Sequence, residues 1–193
     1  MPKVVDVAAR RAELADAAAR LIARSGVEAA TMREVAAEAG LTTGALTHYF
    51  ADKRALLLHT YQQSLEERRW ARERAVADDP EQSLVAALEA GLPTDEMSRL
   101  HWKVTVALSA QAGADEELRS VQRDAYRAHH ARMQQRLAAA GYGPPTATAA
   151  LADRLTAMVN GIALQALFDP DGWPAARQLA TLQTAVAALL TTT

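Results

Sequence analysis

The chain has 193 residues, no cysteine and a formal net charge of -2 at pH 7. The lack of cysteine excludes disulfide bonds, thiol nucleophiles and thiolate metal sites, and the slight negative charge argues against a protein that coats nucleic acid non-specifically. Half of the residues are hydrophobic and only 5% are aromatic, so we expect an all-α protein of roughly nine helices rather than a β sandwich.

Neither the N-terminus nor any hydrophobic segment indicates a membrane. The N-terminus lacks the continuous apolar run of a signal peptide, and no later segment has the roughly 18 uninterrupted apolar residues that a membrane span needs. The sequence therefore predicts a soluble, cytoplasmic protein with no membrane partner.

The first predicted helix runs from Val7 to Arg24 and has one apolar face. That face carries, at helical spacing, Leu14, Ala18, Leu21 and Ile22. Gly26 is well placed to end the helix. We expect this helix to brace two short helices that follow it.

The first of the two short helices opens the stretch TMREVAAEAGLTTGALTHYFADKR, which runs from Thr31 to Arg54. Thr31 is a helix N-cap, and Glu34 follows three residues later to close a capping box. Ala36 lies where the two short helices would cross, so a larger side chain would push them apart. Gly40 stands where the helix must stop in a left-handed conformation.

The second short helix follows the glycine turn. Thr42 or Thr43 can cap it, and its inner face is formed by Leu46 and Phe50. Two short helices joined by a glycine turn form a helix-turn-helix. The alternative is a plain structural hairpin.

Six longer helices are predicted after this motif. The first begins at its cap Asp52 and continues to about Val76, with Lys53 and Arg54 in the first turn, where the helix dipole disfavours cations. A nearby phosphate would explain the two cations, while the alternative is that both are merely solvated. The other five run from Asp79 to Gly91, from Thr94 to Gly113, from Asp115 to the loop at 141–145, from Thr146 to Phe168 and from Pro174 to Leu190.

From about Gly26 to Leu58 the chain resembles the TetR family of bacterial transcriptional regulators, whose DNA-binding segment commonly reads AxxAGLTxGxLxHYFxxKxxLL. The Thr-His-Tyr-Phe form is closest to the BetI-like branch, although it does not by itself predict a choline-type ligand. The resemblance implies a helix-turn-helix DNA-binding domain over residues 1–51. It also implies a helical effector-binding and dimerisation domain over residues 52–193.

The predicted DNA-binding surface combines phosphate contacts with weak base contacts. The reading helix TTGALTHY has no arginine or lysine, so the common bidentate contact to guanine cannot come from it. Many TetR-like sequences have lysine and tyrosine at the positions of Thr43 and Thr47. The ten residues proposed to contact DNA are Thr31, Arg33, Thr42, Thr43, Gly44, Ala45, Thr47, His48, Tyr49 and Lys53.

These ten residues have different predicted roles. Thr43 and Thr47 offer hydroxyls to bases, Ala45 offers a methyl group to thymine, and Gly44 allows the backbone to approach. Arg33 is the long side chain best placed to reach a base or a phosphate. The helix N-terminus at Thr31 can bind a phosphate, and the resemblance implies the same role for Thr42, His48, Tyr49 and Lys53. His48 could instead be a merely exposed histidine.

One such domain offers too few contacts for tight specific binding, so a homodimer is expected to read two half-sites. By resemblance, the last two helices pack against their two-fold mates as a four-helix bundle, and Gly161 permits close approach. The predicted interface residues are Leu151, Leu155, Met158, Ile162, Leu179, Leu182, Val186 and Leu189. The alternative is an intramolecular hairpin that caps the body of the subunit.

The resemblance also implies an effector pocket among the middle helices. Ligand binding there tilts the long fourth helix, so that the two reading helices of the dimer no longer match the spacing of the DNA grooves. The candidate pocket residues are Trp70, His101, Trp102, Gln111, Tyr126, His129, Met133, Met158, Asn160, Gln165 and Phe168. For each of these residues taken alone, a place in the core or on a plain helix surface is the more frequent explanation.

The predicted function is a repressor that binds double-stranded operator DNA of near-palindromic sequence as a homodimer. An unknown small-molecule effector releases it. The chain has no HExxH motif and no glycine-rich phosphate loop, so we expect neither an enzyme nor a cofactor. The alternative is a dimeric helix-turn-helix adaptor that a protein partner controls without a small-molecule ligand.

Overall fold

The computed structural model describes residues 6–75 and 77–190. Within these ranges the chain forms nine helices and no strand, which confirms the all-α prediction. The helices are α1 Val7–Ser25, α2 Met32–Glu38, α3 Thr43–Thr47, α4 Lys53–Arg74, α5 Pro80–Glu89, α6 Glu96–Gln111, α7 Glu116–Ala139, α8 Pro145–Phe168 and α9 Ala175–Leu190.

Aspartate N-caps fix the start of most of the longer helices. In α4 the backbone N–H of Ala55 donates to Oδ1 of Asp52 at 2.7 Å. The same bond forms at the starts of α5, α6 and α7, where the caps are Asp79, Asp95 and Asp115. Each carboxylate satisfies a backbone donor that the first helical turn leaves unpaired.

The predicted capping box at α2 is only half formed. Oγ1 of Thr31 accepts a hydrogen bond from the backbone N–H of Glu34 at 3.2 Å, as predicted. The return bond is absent from the described contacts, because the Thr31 N–H donates to the carbonyl of Ala29 and the Glu34 carboxylate accepts from Arg33. The tight turn before α2 therefore replaces the second half of the box.

Gly26 follows the end of α1, and Gly40 lies in the turn after α2, as predicted. Gly26 has φ +83° and Gly40 has φ +68°, in the left-handed region that other residues rarely adopt. The predicted end of α4 at Val76 lies outside the described residues, and α4 ends at Arg74.

Two compact units divide the chain, and each has its own core. The first unit comprises residues up to Glu66 together with Lys103–Gln122. Its core includes Leu14, Val35, Leu46, Phe50, Leu56, Tyr61, Val104, Leu108 and Leu118. The predicted boundary after residue 51 concerns function and remains a prediction.

The second unit comprises Glu67–Trp102 and the residues from Arg123 onward. Its core includes Leu84, Leu88, Leu92, Met133, Leu137, Leu151, Leu155, Ile162, Leu182 and Val186. Helices α4, α6 and α7 contribute residues to both units. None of the helices in the described ranges combines the length and the hydropathy that crossing a bilayer requires.

The apolar stripes of α8 and α9 face the subunit's own core, and the dimer interface predicted from them remains a prediction. Five of the eight predicted interface residues are buried, namely Leu151, Leu155, Ile162, Leu182 and Val186. The other three, Met158, Leu179 and Leu189, are half-buried and pack against the same core. These side chains therefore stabilise the subunit itself and have little surface left to present to a second copy.

Candidate nucleic-acid interface and effector site

The helix-turn-helix is fixed to the core of the first unit by small and aliphatic side chains. Leu14, Val35 and Leu46 come from α1, α2 and α3, and all three are fully buried. Ala36 is also buried, which agrees with its predicted place at the crossing of the short helices. The backbone N–H of Leu41 donates to the carbonyl of Ala36 at 2.8 Å and closes the turn between α2 and α3.

Helix α3 turns most of its short length outward. Thr42 caps it, because its Oγ1 accepts from the N–H of Ala45 at 3.2 Å. Leu46 is the buried residue of the helix. The exposed residues are Thr43, Gly44, Thr47 and His48, and Ala45 is half-buried. The predicted reading helix therefore has a polar, uncharged outer face.

The hydroxyl of Thr47 donates its hydrogen bond within α3. Its Oγ1 donates to the backbone carbonyl of Gly44 at 2.8 Å. In this geometry the oxygen offers only its lone pairs outward, so an outside partner of Thr47 would have to be a hydrogen-bond donor, such as the amino group of adenine or cytosine.

Gly44 leaves open space on the outer face of α3. A Cβ built at this position would have Oγ1 of Thr42 as its nearest neighbour, at 3.9 Å. Packing within the subunit therefore does not require a glycine here, and the space is available to another molecule.

The predicted phosphate ligands differ in their exposure and in their contacts within the subunit. Thr31 is exposed, and Arg33 has an 83% exposed side chain that pairs with Glu34. Tyr49 is half-buried against the core of the first unit. Lys53 is half-buried, and its Nζ lies 3.6 Å from Oε2 of the exposed Glu28 and donates to the Glu28 carbonyl at 3.4 Å. Both contacts are long, so a phosphate could displace them.

Arg54 is bound to carboxylates rather than free for a phosphate. Its guanidinium makes two hydrogen bonds of 3.1 Å to Asp115 and an ion pair of 2.6 Å with Glu117. The hydrogen bonds from Arg54 lower the pKa of Asp115 below its ordinary value. The sequence suggested a phosphate as the partner of Arg54. In the structure Arg54 links α4 to the start of α7.

The candidate pocket residues do not lie in one place. His129 and Met133 line a small cleft in the second unit. Tyr126 and Asn160 line a groove of about 550 Å³ between α7 and α8, beside the pair formed by His130 and Asp153. Gln111 lines a cavity of about 360 Å³ in the first unit.

The remaining candidates are either core or surface. Trp102 is buried, and its Nε1 donates to the carbonyl of Gly91 at 2.8 Å, while His101 is also buried. Met158 packs against the second core. Trp70, Gln165 and Phe168 are exposed, and Phe168 reaches 79% exposure.

The sequence analysis missed one feature of the second unit and anticipated another only in part, through Gly161. One is a group of arginines from α4 and α7 that surrounds the cleft at His129. The other is the outer face of α8, where Ala157, Gly161, Leu164 and Phe168 are exposed at helical spacing. The arginines are visible in the runs EERRWARER and HHARMQQR, but no spacing rule brings two such distant runs together.

Comparisons with known proteins agree over both parts of the chain. Residues 14–60 match the family described as bacterial regulatory proteins, tetR family, and residues 80–191 match the BetI-type transcriptional repressor C-terminal family. The HTH-type transcriptional regulator PksA of Bacillus subtilis is 31% identical over 175 residues, which are 88% of this chain and 84% of that protein. The BetI regulator of Burkholderia thailandensis is 32% identical over 169 residues, 86% of this chain and 85% of that protein.

Solved structures show the same fold. A transcriptional regulator from Rhodococcus has a TM-score of 0.85 at 27% identity, over 94% of this chain and 96% of that one. A regulator from Saccharomonospora viridis, solved in complex with choline, has a TM-score of 0.83 at 22% identity, over 93% and 96% of the two chains. With a helix-turn-helix and a helical C-terminal region that match the same group of regulators, the chain belongs to the TetR family of bacterial transcriptional regulators and has a BetI-type C-terminal domain.

Proposed function

We propose that the protein is a repressor that binds a near-palindromic operator as a homodimer and leaves it when a small molecule binds the C-terminal domain. The observation that carries the proposal is the outer face of α3. Thr43, Gly44, Thr47 and His48 are exposed there, while Leu46 holds the helix to the core. A protein that reads chromosomal DNA in this way acts in the bacterial cytoplasm.

Base reading by this face would rest on shape and weak polar contacts. Without arginine or lysine on α3, discrimination comes from threonine hydroxyls, methyl contacts to thymine and close backbone approach at Gly44. Arg33 and Lys53 supply phosphate contacts on either side, and these give affinity without sequence information. We therefore expect modest affinity for each half-site and a strong dependence on dimerisation.

The dimer surface that we propose is the outer face of the last two helices. On α8 it comprises Ala157, Gly161, Leu164 and Phe168, with Leu164 38% exposed. On α9 the exposed residues include Ala176, Ala180, Thr184 and Ala188. Small side chains on both helices permit close packing of two copies, and two exposed apolar side chains supply area to bury.

Gly161 supports this choice of surface. It lies in the middle of α8, where glycine costs about 1 kcal/mol relative to alanine. A Cβ built at Gly161 meets no other described atom within 4 Å, so packing inside the subunit does not explain the glycine. Close approach of a second copy would explain it.

The effector proposal rests on the BetI-type match and on the polar cavities of the second unit. Helices α4, α6 and α7 contribute residues to both units, so a ligand in the second unit contacts elements that continue into the first. Such a ligand lowers DNA affinity only by its difference in affinity between the two states of the protein.

The uncharged face of α3 also favours a second candidate function. A dimeric adaptor that a protein partner controls would need no cation on that helix and no small-molecule ligand. The two functions differ in one measurable property, which is sequence-specific and salt-dependent binding to DNA.

Fluorescence anisotropy with duplex DNA from immediately upstream of the gene tests the proposal, with random duplex DNA as the control. A repressor should bind the upstream DNA as two protomers per site or a multiple, with a steep salt dependence and a clear margin over random DNA. Equal weak binding to both duplexes leaves two explanations. Either the operator lies elsewhere, and selection from random DNA would find it, or the protein is the adaptor. If that selection enriches no sequence, the repressor is excluded.

Lys53→Ala provides a sharper version of the same test. As a phosphate contact, Lys53 should contribute about one to the slope of log Kd against log salt and affect all DNA sequences about equally. Lys103→Ala removes the same charge from an exposed position on α6 and serves as the control. An unchanged salt slope in Lys53→Ala would remove Lys53 from the interface.

A further inference from the structure

An arginine-rich cleft lies in the second unit between the end of α4, α5 and α7. Its volume is about 20 Å³, which is room for a water or for an oxygen of a ligand head group. The lining residues are Arg69, Arg72, Glu73, Ala87, His129, Arg132, Met133 and Arg136. Four guanidinium groups thus surround a small cavity together with one carboxylate.

That carboxylate is already shared between two of the arginines. Glu73 accepts hydrogen bonds of 2.9 and 2.8 Å from Arg69, and its Oε1 lies 3.6 Å from Nε of Arg132. Glu73 can therefore balance only part of the positive charge that lines the cleft.

The other two arginines bond neutral oxygens among the described residues. Arg72 donates to the backbone carbonyl of Arg68 at 3.1 Å. Arg136 donates to Oγ and the carbonyl of Ser83 and to the carbonyl of Arg72, at 3.0 to 3.3 Å. These bonds hold both guanidiniums in place without neutralising them. A fifth guanidinium, that of Arg68, lies 3.5 Å from the centre of the Trp102 ring.

The electrostatic effect of this arrangement appears in two pKa values. Burial and the neighbouring Arg132 lower the pKa of Arg72 to about 10, which still leaves it charged at neutral pH. Burial, followed by the charges of Arg72, Arg68 and Arg132, lowers the pKa of His129 to about 3. Four guanidinium groups and one carboxylate line the cleft, so it carries a net positive charge. Like charges held together in this way are costly unless an anion joins them.

We propose that this cleft binds an oxygen of the anionic head group of the effector, a carboxylate or a phosphate. Guanidinium groups match the planar geometry and the charge of both oxyanions. Met133 and Ala87 close the cleft with apolar surface, so the head group would lie in a partly dehydrated environment where charge pairing is strengthened. The inference rests on the proposed function, because it names the chemical class of the small molecule that controls the repressor.

The same chemistry disfavours a cationic effector at this site. Choline, present in the related structure from Saccharomonospora viridis, carries a quaternary ammonium that four arginines would repel. An anionic effector would distinguish this protein from that regulator despite their common fold.

The test uses the full chain with sodium phosphate and sodium acetate as separate probes. Sodium chloride at equal ionic strength and choline chloride are the controls. The imidazole signals are followed by NMR, and loss of one signal in His129→Gln assigns that of His129. We expect saturable shifts of this signal with phosphate, acetate or both, and a higher His129 pKa in the bound state. The more effective probe identifies the head group as phosphate or carboxylate.

Two arginine variants locate the site. Arg132→Gln removes a half-exposed cation whose described ion pair is the long one to Glu73, so the fold should tolerate it. We expect Kd for the effective anion to rise at least tenfold. Arg127→Gln, on the same helix but 75% exposed and paired with Asp124, should leave Kd unchanged. Absence of saturable binding, or equal Kd values in wild type and Arg132→Gln, would overturn the proposal.

Operator anisotropy on the same preparations separates this inference from the proposed function. At constant ionic strength, a saturating concentration of the effective anion should raise the operator Kd by roughly fivefold or more. Specific operator binding with no anion binding would refute the anion site and leave the repressor intact. Anion binding with no specific DNA binding would refute the repressor and leave the anion site intact. Anion binding that leaves the operator Kd unchanged would refute the effector role.

Discussion

At the scale of single residues, Gly44 is the position where folding and the proposed reading of DNA place different demands on the side chain. A Cβ fits there in the free protein, since its nearest neighbour would be 3.9 Å away. The backbone does not need glycine either, because φ at Gly44 is not positive. Glycine at this exposed helical position is therefore best explained by a molecule that approaches the backbone from outside.

We predict that Gly44→Ala separates stability from DNA binding. The free energy of unfolding should stay the same or rise by up to about 1 kcal/mol, because alanine favours the helix. Operator affinity should fall about tenfold or more, since the added methyl group occupies the space for the DNA. Thermal unfolding and fluorescence anisotropy measure the two effects.

Gly113→Ala is the matched control for this change. A Cβ at Gly113 would also find room, with the carbonyl of Ala110 at 3.8 Å, but Gly113 lies outside the helix-turn-helix. Its operator affinity should equal that of the wild type. If Gly44→Ala also binds the operator normally, α3 does not approach DNA at Gly44 and the proposed reading face is wrong.

At the scale of helices, the start and stop signals proved predictable because they act within one turn of the chain. Asp52, Asp79 and Asp115 each accept a hydrogen bond from a backbone N–H three residues later, so their effect needs no knowledge of the tertiary fold. The glycines at 26 and 40 act in the same local way. The exposure of the residues on α3 also followed from the motif, although their contacts with DNA remain predictions.

The partner of a hydrophobic stripe could not be predicted from its spacing. The stripe on α8 that contains Leu151, Leu155 and Ile162 showed correctly that one face is buried. It gave no information on whether that face packs against the same subunit or against a second one. The arginine cleft escaped prediction for a related reason, since it joins Arg72 to Arg132 and Arg136 from another helix.

The environment of His129 on α7 leads to a prediction about acid stability. Its pKa is about 3 in the folded protein and 6.5 when unperturbed. Between these values the unfolded chain binds more protons than the folded chain, so stability rises with pH in this window. Because of His129, the free energy of unfolding should therefore fall by up to about 1.4 kcal/mol for each unit by which the pH falls from 6.5 toward 3.

Urea unfolding between pH 7 and pH 4 measures this effect at a fixed protein concentration. Tryptophan fluorescence is a suitable signal, because Trp70, Trp102 and Trp173 all belong to the second unit, as His129 does. His129→Gln should lose less stability on acidification than the wild type. His48→Gln, which changes an exposed histidine of the helix-turn-helix, should follow the wild-type curve. Parallel curves for all three proteins would contradict the neutral state of the half-buried His129.

At the scale of the whole molecule, the proposed homodimer makes operator recognition and dimerisation parts of one equilibrium. A single α3 presents few contacts, so two copies held at a fixed spacing are needed to reach useful affinity. Any loss of dimer stability should therefore appear as a loss of operator affinity at low protein concentration, even when each helix-turn-helix is intact.

The outer face of α8 allows this dependence to be tested. Phe168→Glu and Leu164→Glu place a charge where we propose that two copies meet, and symmetry introduces each charge twice. Dimer dissociation measured by analytical ultracentrifugation should become at least about 100-fold easier, because burying an unpaired carboxylate costs several kcal/mol. Operator affinity should fall with it. Met97→Glu changes an exposed apolar residue of α6, whose 58% exposure lies between the 38% of Leu164 and the 79% of Phe168, and should leave both properties unchanged. If all three variants remain dimers of wild-type stability, the two subunits associate through another surface, and the glycine in the middle of α8 needs a different explanation.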